Sequence, residues 1–241
     1  MFNTIIILTG SRDQQLALTE LLKAHNAALS FHCAVTLSDL EAIGPEVLSR
    51  SRLVAFTTGV VVPARILNAL GYGAYNFHPG SSDYPGWAPA HFALYDGART
   101  FGATAHVMET SVDCGAIVGV ESFDIPEGIA VRGLEQMAFV RLAHLFWQMS
   151  RDIACEAAPL PVLPIAWSGI KSTKQMYTAM CDMPADIGPS EMKRRIRAFH
   201  DDFRGIPLTV TLHGMRYQLA VAATPKPLTE VVAAPPLALA S

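Results

Sequence analysis

The chain has 241 residues, of which 51% are hydrophobic, with a mean hydropathy of +0.28 and a formal net charge of -3. This length and hydrophobic fraction are enough for one large core, alone or with a small appendage, and they argue against a disordered chain. With a sequence pI near 6.2 there is no overall basic field, which disfavours nucleic acid and anionic membranes as partners.

The cysteines and the amino terminus predict a reduced, cytoplasmic protein. Four cysteines are scattered along the chain, without a C-x-x-C pair or a cluster at metal-ligand spacing: Cys33, Cys114, Cys155 and Cys181. The first apolar run, within MFNTIIILTGSRDQ, is too short for a membrane span and lacks a basic leader and a cleavage signal. We therefore expect no membrane association, and we read this run as a first β-strand.

Strand-like and helix-like segments alternate along the first third of the chain. The apolar patterns predict strands over Thr4 to Thr9, Leu29 to Val35, Leu53 to Phe56 and Ala74 to Phe77. Helices are predicted over Gln14 to His25, from a capping box at Ser38 and Glu41 to about Ser51, and over Pro63 to Leu70. This alternation is typical of βαβ units, so the predicted fold class is α/β, a mostly parallel sheet with helices on both faces.

The remainder of the chain departs from this alternation. Phe101 to Met108 and Ile117 to Phe123 are predicted to pair as strands, and Val131 to Ala154 is predicted to be a long helix. After a proline-rich boundary, the pattern predicts a helix over Pro189 to Phe199 and a hairpin over Leu208 to Val221 turned at His213-Gly214. We predict a main domain over residues 1–157, a small C-terminal subdomain over 158–225 and a flexible tail over 226–241.

The stretch YNFHPGSSDYPG places polar side chains at the end of a predicted strand. Asn76 and His78 are two residues apart, so their side chains share one face of the strand. Ligands bind beyond the carboxyl ends of parallel strands, where this loop begins. From spacing alone, a capped turn with ordinary loop hydrogen bonds explains the pair equally well. Farther on, Asp113 precedes Gly115, a combination that by itself is typical of a turn, and Cys114 is interpreted as a bystander.

Taken together, four motifs in one stretch resemble the folate-dependent formyltransferase family. They are Asn76-x-His78-Pro79, Tyr84-Pro85-Gly86, Gly102-x-Thr104-x-His106 and Asp113-x-Gly115-x-Ile117. The family includes methionyl-tRNA, glycinamide-ribonucleotide and sugar-nucleotide amine formyltransferases. The resemblance implies a Rossmann-like catalytic domain, N10-formyltetrahydrofolate as the donor, and transfer of its formyl group to an amine.

The resemblance also implies roles for individual residues. The catalytic group carries over to Asn76, His78 and Asp113. Two loops would contact the pterin ring mostly through backbone groups, which makes six residues candidates for donor binding: Thr58, Gly59, Val60, Val61, Ser111 and Val112. No metal is required, because an amide N–H and an imidazole can stabilise the oxyanion of a tetrahedral intermediate. Asp113 would orient His78, hold its protonated form or relay a proton through water.

The acceptor is less well defined by the sequence. In the usual family form, leucines and a basic residue follow the histidine. The loop SSDYPGWAPA departs from that form and is closer to the amino-sugar branch. A nucleotide-linked amino sugar is therefore the expected acceptor, with glycinamide ribonucleotide or methionyl-tRNA as alternatives. A formyltetrahydrofolate hydrolase is disfavoured because no regulatory domain precedes the first strand. A noncatalytic folate-binding module is disfavoured because it would not need the three polar groups. The sequence leaves the oligomeric state open, with a homodimer as one candidate.

Other polar features are given structural interpretations. His106 is expected to be structural rather than chemical, and Trp87 and His91 either line the acceptor pocket or pack. The basic run from Lys193 to Arg197 is interpreted as a solvated helix face, with contact to acceptor phosphates as the alternative.

Overall fold

The computed structural model describes residues 2–168, 170–200 and 203–220. Its main sheet has six strands in the order β2-β1-β3-β4-β5-β6. These strands are β1 (Thr4–Thr9), β2 (Ser30–Ala34), β3 (Ser51–Phe56), β4 (Ala74–His78), β5 (Thr100–Val107) and β6 (Ile117–Asp124). The helices that accompany them are α1 (Arg12–His25), α2 (Leu37–Glu41), α3 (Pro45–Leu48), α4 (Ala64–Leu67), α5 (Pro89–Asp96) and α6 (Val131–Cys155).

The sheet is parallel from β2 through β1 and β3 to β4, and antiparallel from β4 through β5 to β6. Alternating side chains of β1 point to opposite faces, as the period of a strand requires. Ile5 and Ile7 belong to a core with α1 and α6, whereas Ile6 and Leu8 belong to a core with α2, α3 and α4. The predicted α/β class, with a mostly parallel sheet covered on both faces, is confirmed.

The predicted capping box at Ser38 and Glu41 is wrong. The helix is instead capped two residues earlier, where Thr36 Oγ1 accepts from the Asp39 amide at 3.2 Å and Asp39 Oδ2 accepts from the Thr36 amide at 2.9 Å. The single helix predicted to about Ser51 is two short helices, because Pro45 lacks an amide hydrogen and starts a new first turn. Ser51 already belongs to β3.

The C-terminal part adds a small layer to one end of the molecule. It contains α7 (Lys174–Cys181), β7 (Asp182–Met183), α8 (Pro189–Phe199), β8 (Thr209–Leu212) and β9 (Met215–Gln218), with a three-stranded sheet in the order β7-β8-β9. The predicted helix and the hairpin turn at His213-Gly214 are present, whereas α7 and β7 were not predicted.

This C-terminal layer shares a core with the main sheet's helices. Tyr177 and Phe199 pack in one cluster with Leu94 of α5 and Leu134 of α6. The division between residues 157 and 158 therefore stays a prediction. The predicted tail over 226–241, and Val221 at the end of the predicted hairpin, lie outside the described residues.

Buried Arg52 ties the end of α6 to the sheet. Its guanidinium donates to the carbonyl oxygens of Ile153 and Ala158, both at 2.9 Å, and to that of Tyr72 at 3.1 Å. A cation is favourable at a helix C-terminus, where the carbonyl groups lack helical partners. The extended chain that follows α6 then crosses the sheet, where Leu163 N donates to Ile117 O at 2.8 Å. Within the described residues, every helix is too short or too polar to cross a membrane.

Candidate active site

Four polar side chains meet on β4, on its antiparallel neighbour β5 and in the loop after β5. Asn76 and His78 lie on β4, and His106 pairs directly with Asn76 across the β4–β5 ladder. Asp113 belongs to the loop between β5 and β6, with a positive φ of 47°. A left-handed conformation is unfavourable for an ordinary residue, although aspartate tolerates it better than most. Asp113 adopts this strained backbone conformation with its side chain buried in the cluster.

The distances make these side chains one cluster. Asn76 Nδ2 lies 3.1 Å from His106 Nε2, which lies 3.2 Å from Asp113 Oδ1. The other carboxylate oxygen, Asp113 Oδ2, lies 3.7 Å from His78 Nδ1. The structure thus places the three predicted catalytic residues together, and it adds His106, for which sequence analysis favoured a structural role.

The carboxylate of Asp113 is held in its ionised form. Burial alone raises the pKa of this group, since it disfavours the charge. Hydrogen bonds from His106 and from the Gly86 amide, together with the nearby His78 and His106 rings, outweigh burial and lower the pKa to about 2. The Gly86 amide donates to Asp113 Oδ2 at 2.8 Å. At neutral pH the cluster therefore contains a fixed anion.

The imidazole of His78 is held neutral. Burial lowers its pKa, and the adjacent His106 ring lowers it further; the Asp113 carboxylate and the Tyr84 backbone raise it by less. His78 Nε2 is buried and has no hydrogen-bond partner among the described residues. A neutral imidazole can accept a proton at its unprotonated ring nitrogen.

The proton on His106 is fixed by its backbone neighbour. His106 Nδ1 lies 2.8 Å from the carbonyl oxygen of Val107, which can only accept, so Nδ1 carries the hydrogen. His106 Nε2 faces both Asn76 Nδ2 and Asp113 Oδ1. With a hydrogen it donates to the carboxylate, and without one it accepts from the Asn76 amide. At most one of the two amide hydrogens of Asn76 is taken by His106, so one is left for a ligand.

A cavity of about 350 Å³ opens at this cluster. Asn76, His78, Asp113 and His106 all line it. The six residues predicted for donor binding line it as well, namely Thr58, Gly59, Val60, Val61, Ser111 and Val112. Two of them, Val61 and Val112, are 59% and 47% exposed. Trp87 both lines the cavity and packs against Tyr177, whereas His91 is buried away from it against Tyr177 and Phe199.

Sequence analysis missed the contribution of Gly86 and of the segment that follows α6. Gly86 has a φ of +96°, and a Cβ there would lie 2.2 Å from the carbonyl oxygen of Ser172. Only glycine permits this backbone to bind Asp113 on one side while Ser172 passes on the other. The Tyr84-Pro85-Gly86 motif marks the glycine without indicating this role, and Lys171 and Ser172 reach the cavity from a region without a motif.

Two further sequence interpretations concern metals and the basic run. The described residues contain no group of three or more His, Cys, Asp or Glu side chains placed to hold a metal ion. On α8, Arg195 pairs with Glu191 at 2.7 Å and Arg194 donates to the Tyr95 carbonyl at 3.0 Å. These two members of the basic run are engaged with their own chain.

Comparison with known proteins agrees with the resemblance inferred from the motifs. Residues 36–138 match the family model described as formyl transferase. Methionyl-tRNA formyltransferase of Rickettsia bellii is 34% identical over 85 residues, which are 34% of this chain and 27% of that protein. The family predicted from the sequence, the formyltransferases, is thereby confirmed for this segment. The chain matches only about a quarter of the length of this curated relative.

Solved structures extend the likeness to almost the whole fold. A sugar N-formyltransferase from a Shewanella species has a TM-score of 0.73 at 17% identity, covering 92% of this chain and 98% of that one. An N-formyltransferase from Helicobacter canadensis, solved with folinic acid and dTDP-3-aminofucose, has a TM-score of 0.59 at 14% identity, covering 89% and 85%. At these identities the likeness defines the fold alone.

Proposed function

We propose that this protein transfers the formyl group of N10-formyltetrahydrofolate to the primary amine of a small acceptor, a nucleotide-linked amino sugar. The observation that carries the proposal is the convergence of Asn76, His78 and Asp113 on one cavity at the carboxyl edge of the sheet. An amide donor, a neutral base and a fixed anion are the groups that acyl transfer to an amine requires.

Each side chain has a task in this scheme. As the amine nitrogen bonds to the formyl carbon, the carbonyl electrons move to oxygen, and the free amide hydrogen of Asn76 meets the new negative charge. His78 takes the proton that the amine must lose, and the Asp113 carboxylate stabilises the imidazolium that results. When the bond from the formyl carbon to the folate nitrogen breaks, His78 returns the proton to that nitrogen. The imidazole is thus base and then acid.

The donor fits the cavity by its chemistry. Val61 and Val112 expose large apolar side chains at its walls, a feature that marks ligand-binding surfaces in soluble proteins. A flat pterin ring would cover them. Polar edges of the ring would meet backbone groups of Gly59 and Ser111, which also line the cavity. When bound, the folate supplies the activated one-carbon unit, and the chain supplies orientation, an oxyanion donor and proton movement.

The amino-sugar acceptor is supported by likeness to sugar N-formyltransferases and by the loop around Trp87. The Helicobacter relative was solved with an aminofucose nucleotide, which suggests that class of acceptor. The sequence matches to methionyl-tRNA formyltransferases keep tRNA as the second candidate. Arg194 and Arg195 bind within the chain, so they offer little to an RNA backbone.

The experiment is a release assay with purified protein. N10-formyltetrahydrofolate is mixed with buffer, with dTDP-linked amino sugars, with glycinamide ribonucleotide or with methionyl-tRNA, and tetrahydrofolate is measured. Release that depends on an amino sugar, with formylated product found by mass spectrometry, supports the proposal. Release in buffer alone identifies a hydrolase, release with another amine corrects the acceptor, and binding without release contradicts catalysis.

A further inference from the structure

After the segment that matches the family model, residues 36–138, the chain returns to the site and packs behind the catalytic cluster. We call residues 167–168 and 170–172 the strap. Trp167 Nε1 donates to the carbonyl oxygen of Gly115 at 2.8 Å, two residues after Asp113. The indole ring meets the His106 ring edge to face at a centroid distance of 5.1 Å and the His78 ring at 6.2 Å. One side chain therefore contacts both imidazoles and the loop that carries the carboxylate.

The strap is anchored by contacts that do not involve the indole. Ser168 N donates to Ser82 O at 3.0 Å, and Ser172 exchanges backbone hydrogen bonds with Pro85 and Trp87 at 2.9 and 3.0 Å. The Ser172 hydroxyl adds a bond to Trp87 O at 2.6 Å. Because these anchors are independent of residue 167, a change of the indole should leave the path of the chain in place.

We propose that Trp167 is a positioning residue of the active site, which fixes the two imidazole rings and the Asp113 loop for formyl transfer. The catalytic part of this inference rests on the proposed function. The indole presents an apolar ring to His78, so water does not reach that side of the imidazole. Its N–H holds Gly115, so the turn that carries Asp113 keeps its distance from His78. A displacement of about 1 Å in such a group can lower a rate by about a hundredfold.

The surroundings of His78 define what the indole controls. The groups that act on its charge are the Asp113 carboxylate, the His106 ring and the Tyr84 backbone. Trp167 carries no charge, so it acts through packing and exclusion of water. Opening that side to water should make the charged imidazole easier to form. Its titration should then move upward, toward the ordinary value of histidine.

The test compares Trp167→Ala and Trp167→Phe with Trp147→Ala. Trp147 is a matched control because its indole is 59% exposed on α6, where it stacks on His144. We expect Trp167→Ala to lower kcat by about ten- to a hundredfold with little change in KM for the donor. Trp167→Phe should recover part of the loss through ring packing without the Gly115 bond. The control should retain wild-type kinetics.

A second readout does not depend on catalysis. The histidine Cε1 proton resonances, assigned with His78→Gln and His106→Gln variants, are followed against pH for wild type and the tryptophan variants. We expect the titration of His78 to move upward in Trp167→Ala and less in Trp167→Phe. Unchanged titration with wild-type kcat would overturn the proposal. If wild type transfers no formyl group, the proposed function fails, and the titration alone decides the positioning role. Should Trp167→Ala not fold, Trp167→Phe decides both readouts.

Discussion

The stretch from Asn76 to Gly115 and the strap build the same cavity in different ways. The first supplies the amide, imidazole and carboxylate groups that can meet a ligand, and these must be of fixed chemical type. The strap supplies backbone bonds, which do not depend on residue type, and one indole ring that packs behind those groups. The comparison teaches that a motif identifies the chemistry of this site, while its geometry depends on a segment without a motif.

The largest expected effect on kcat is that of a substitution in the first region, at Asn76. Asn76→Ala removes the amide hydrogen that we propose meets the oxyanion, and it should lower kcat by about 10²–10³-fold without loss of the fold. Asn68→Ala is the matched control, since Asn68 is exposed at the end of α4. Steady-state turnover and thermal unfolding of both variants check the expectation. Wild-type turnover in Asn76→Ala would remove the amide from the mechanism.

Gly86 is where the two regions touch, and its substitution should have the next largest effect. In Gly86→Ala the new Cβ would press on the Ser172 carbonyl and displace the amide that binds Asp113. We expect kcat to fall by about ten- to a hundredfold, together with a lower melting temperature.

Gly97→Ala provides the control for this substitution. Gly97 also has a positive φ, of +70°, but a Cβ there meets nothing within 4 Å. This variant should show only the cost of a left-handed backbone, about 1–2 kcal/mol, with unchanged kcat. Equal kinetic behaviour of the two variants would mean that contact between strap and loop is unimportant for turnover.

The difference between the regions also explains how much the sequence could predict. The strands β1, β3 and β4 are predictable because they are short apolar runs that end at turn residues. Asn76 and His78 share a face by the period of a strand, and Asp113 is identifiable only through the family resemblance.

Other parts depend on competition or on distant contacts. Thr36 and Ser38 are both capable caps, and the local pattern does not decide between them. Helix α7 buries Tyr177 and Cys181 on one side only, too weak a pattern for a segment of this length. The approach of Trp167 to His78 requires the chain to cross the sheet after α6, guided by Arg52 and Leu163, and no local pattern encodes that path.

A pH experiment tests the charge held within the first region. The pKa of Asp113 is about 2 in the folded protein and near 3.8 when unperturbed, so the unfolded chain binds more protons between these values. Its contribution to stability is complete above pH 3.8 and is lost as pH falls toward 2. It amounts to about 2 kcal/mol.

Denaturant titrations at pH 5 and pH 2.5 measure this contribution. Between these conditions wild type should lose more stability than Asp113→Asn, and the exposed control Asp83→Asn should behave as wild type. A loss of equal size in all three proteins would show that the carboxylate is not held by its neighbours.

The smallest expected effect concerns the charged side chain that the strap contributes to the cavity. Of the described residues that line the cavity, Lys171 alone carries an ammonium or guanidinium group, and its Nζ donates to Ser111 Oγ at 3.0 Å.

The glutamate part of the donor carries carboxylates, so Lys171→Ala should raise KM for the donor at most about fivefold at low salt. The value of kcat should not change, because the Lys171 ammonium group donates to Ser111 Oγ and has no part in the proposed transfer of the formyl group. Added salt should erase the difference, and Lys174→Ala, three residues away on α7, should have no effect. A large fall in kcat for Lys171→Ala would instead place the strap among the reacting groups, and the distinction between the two regions would fail.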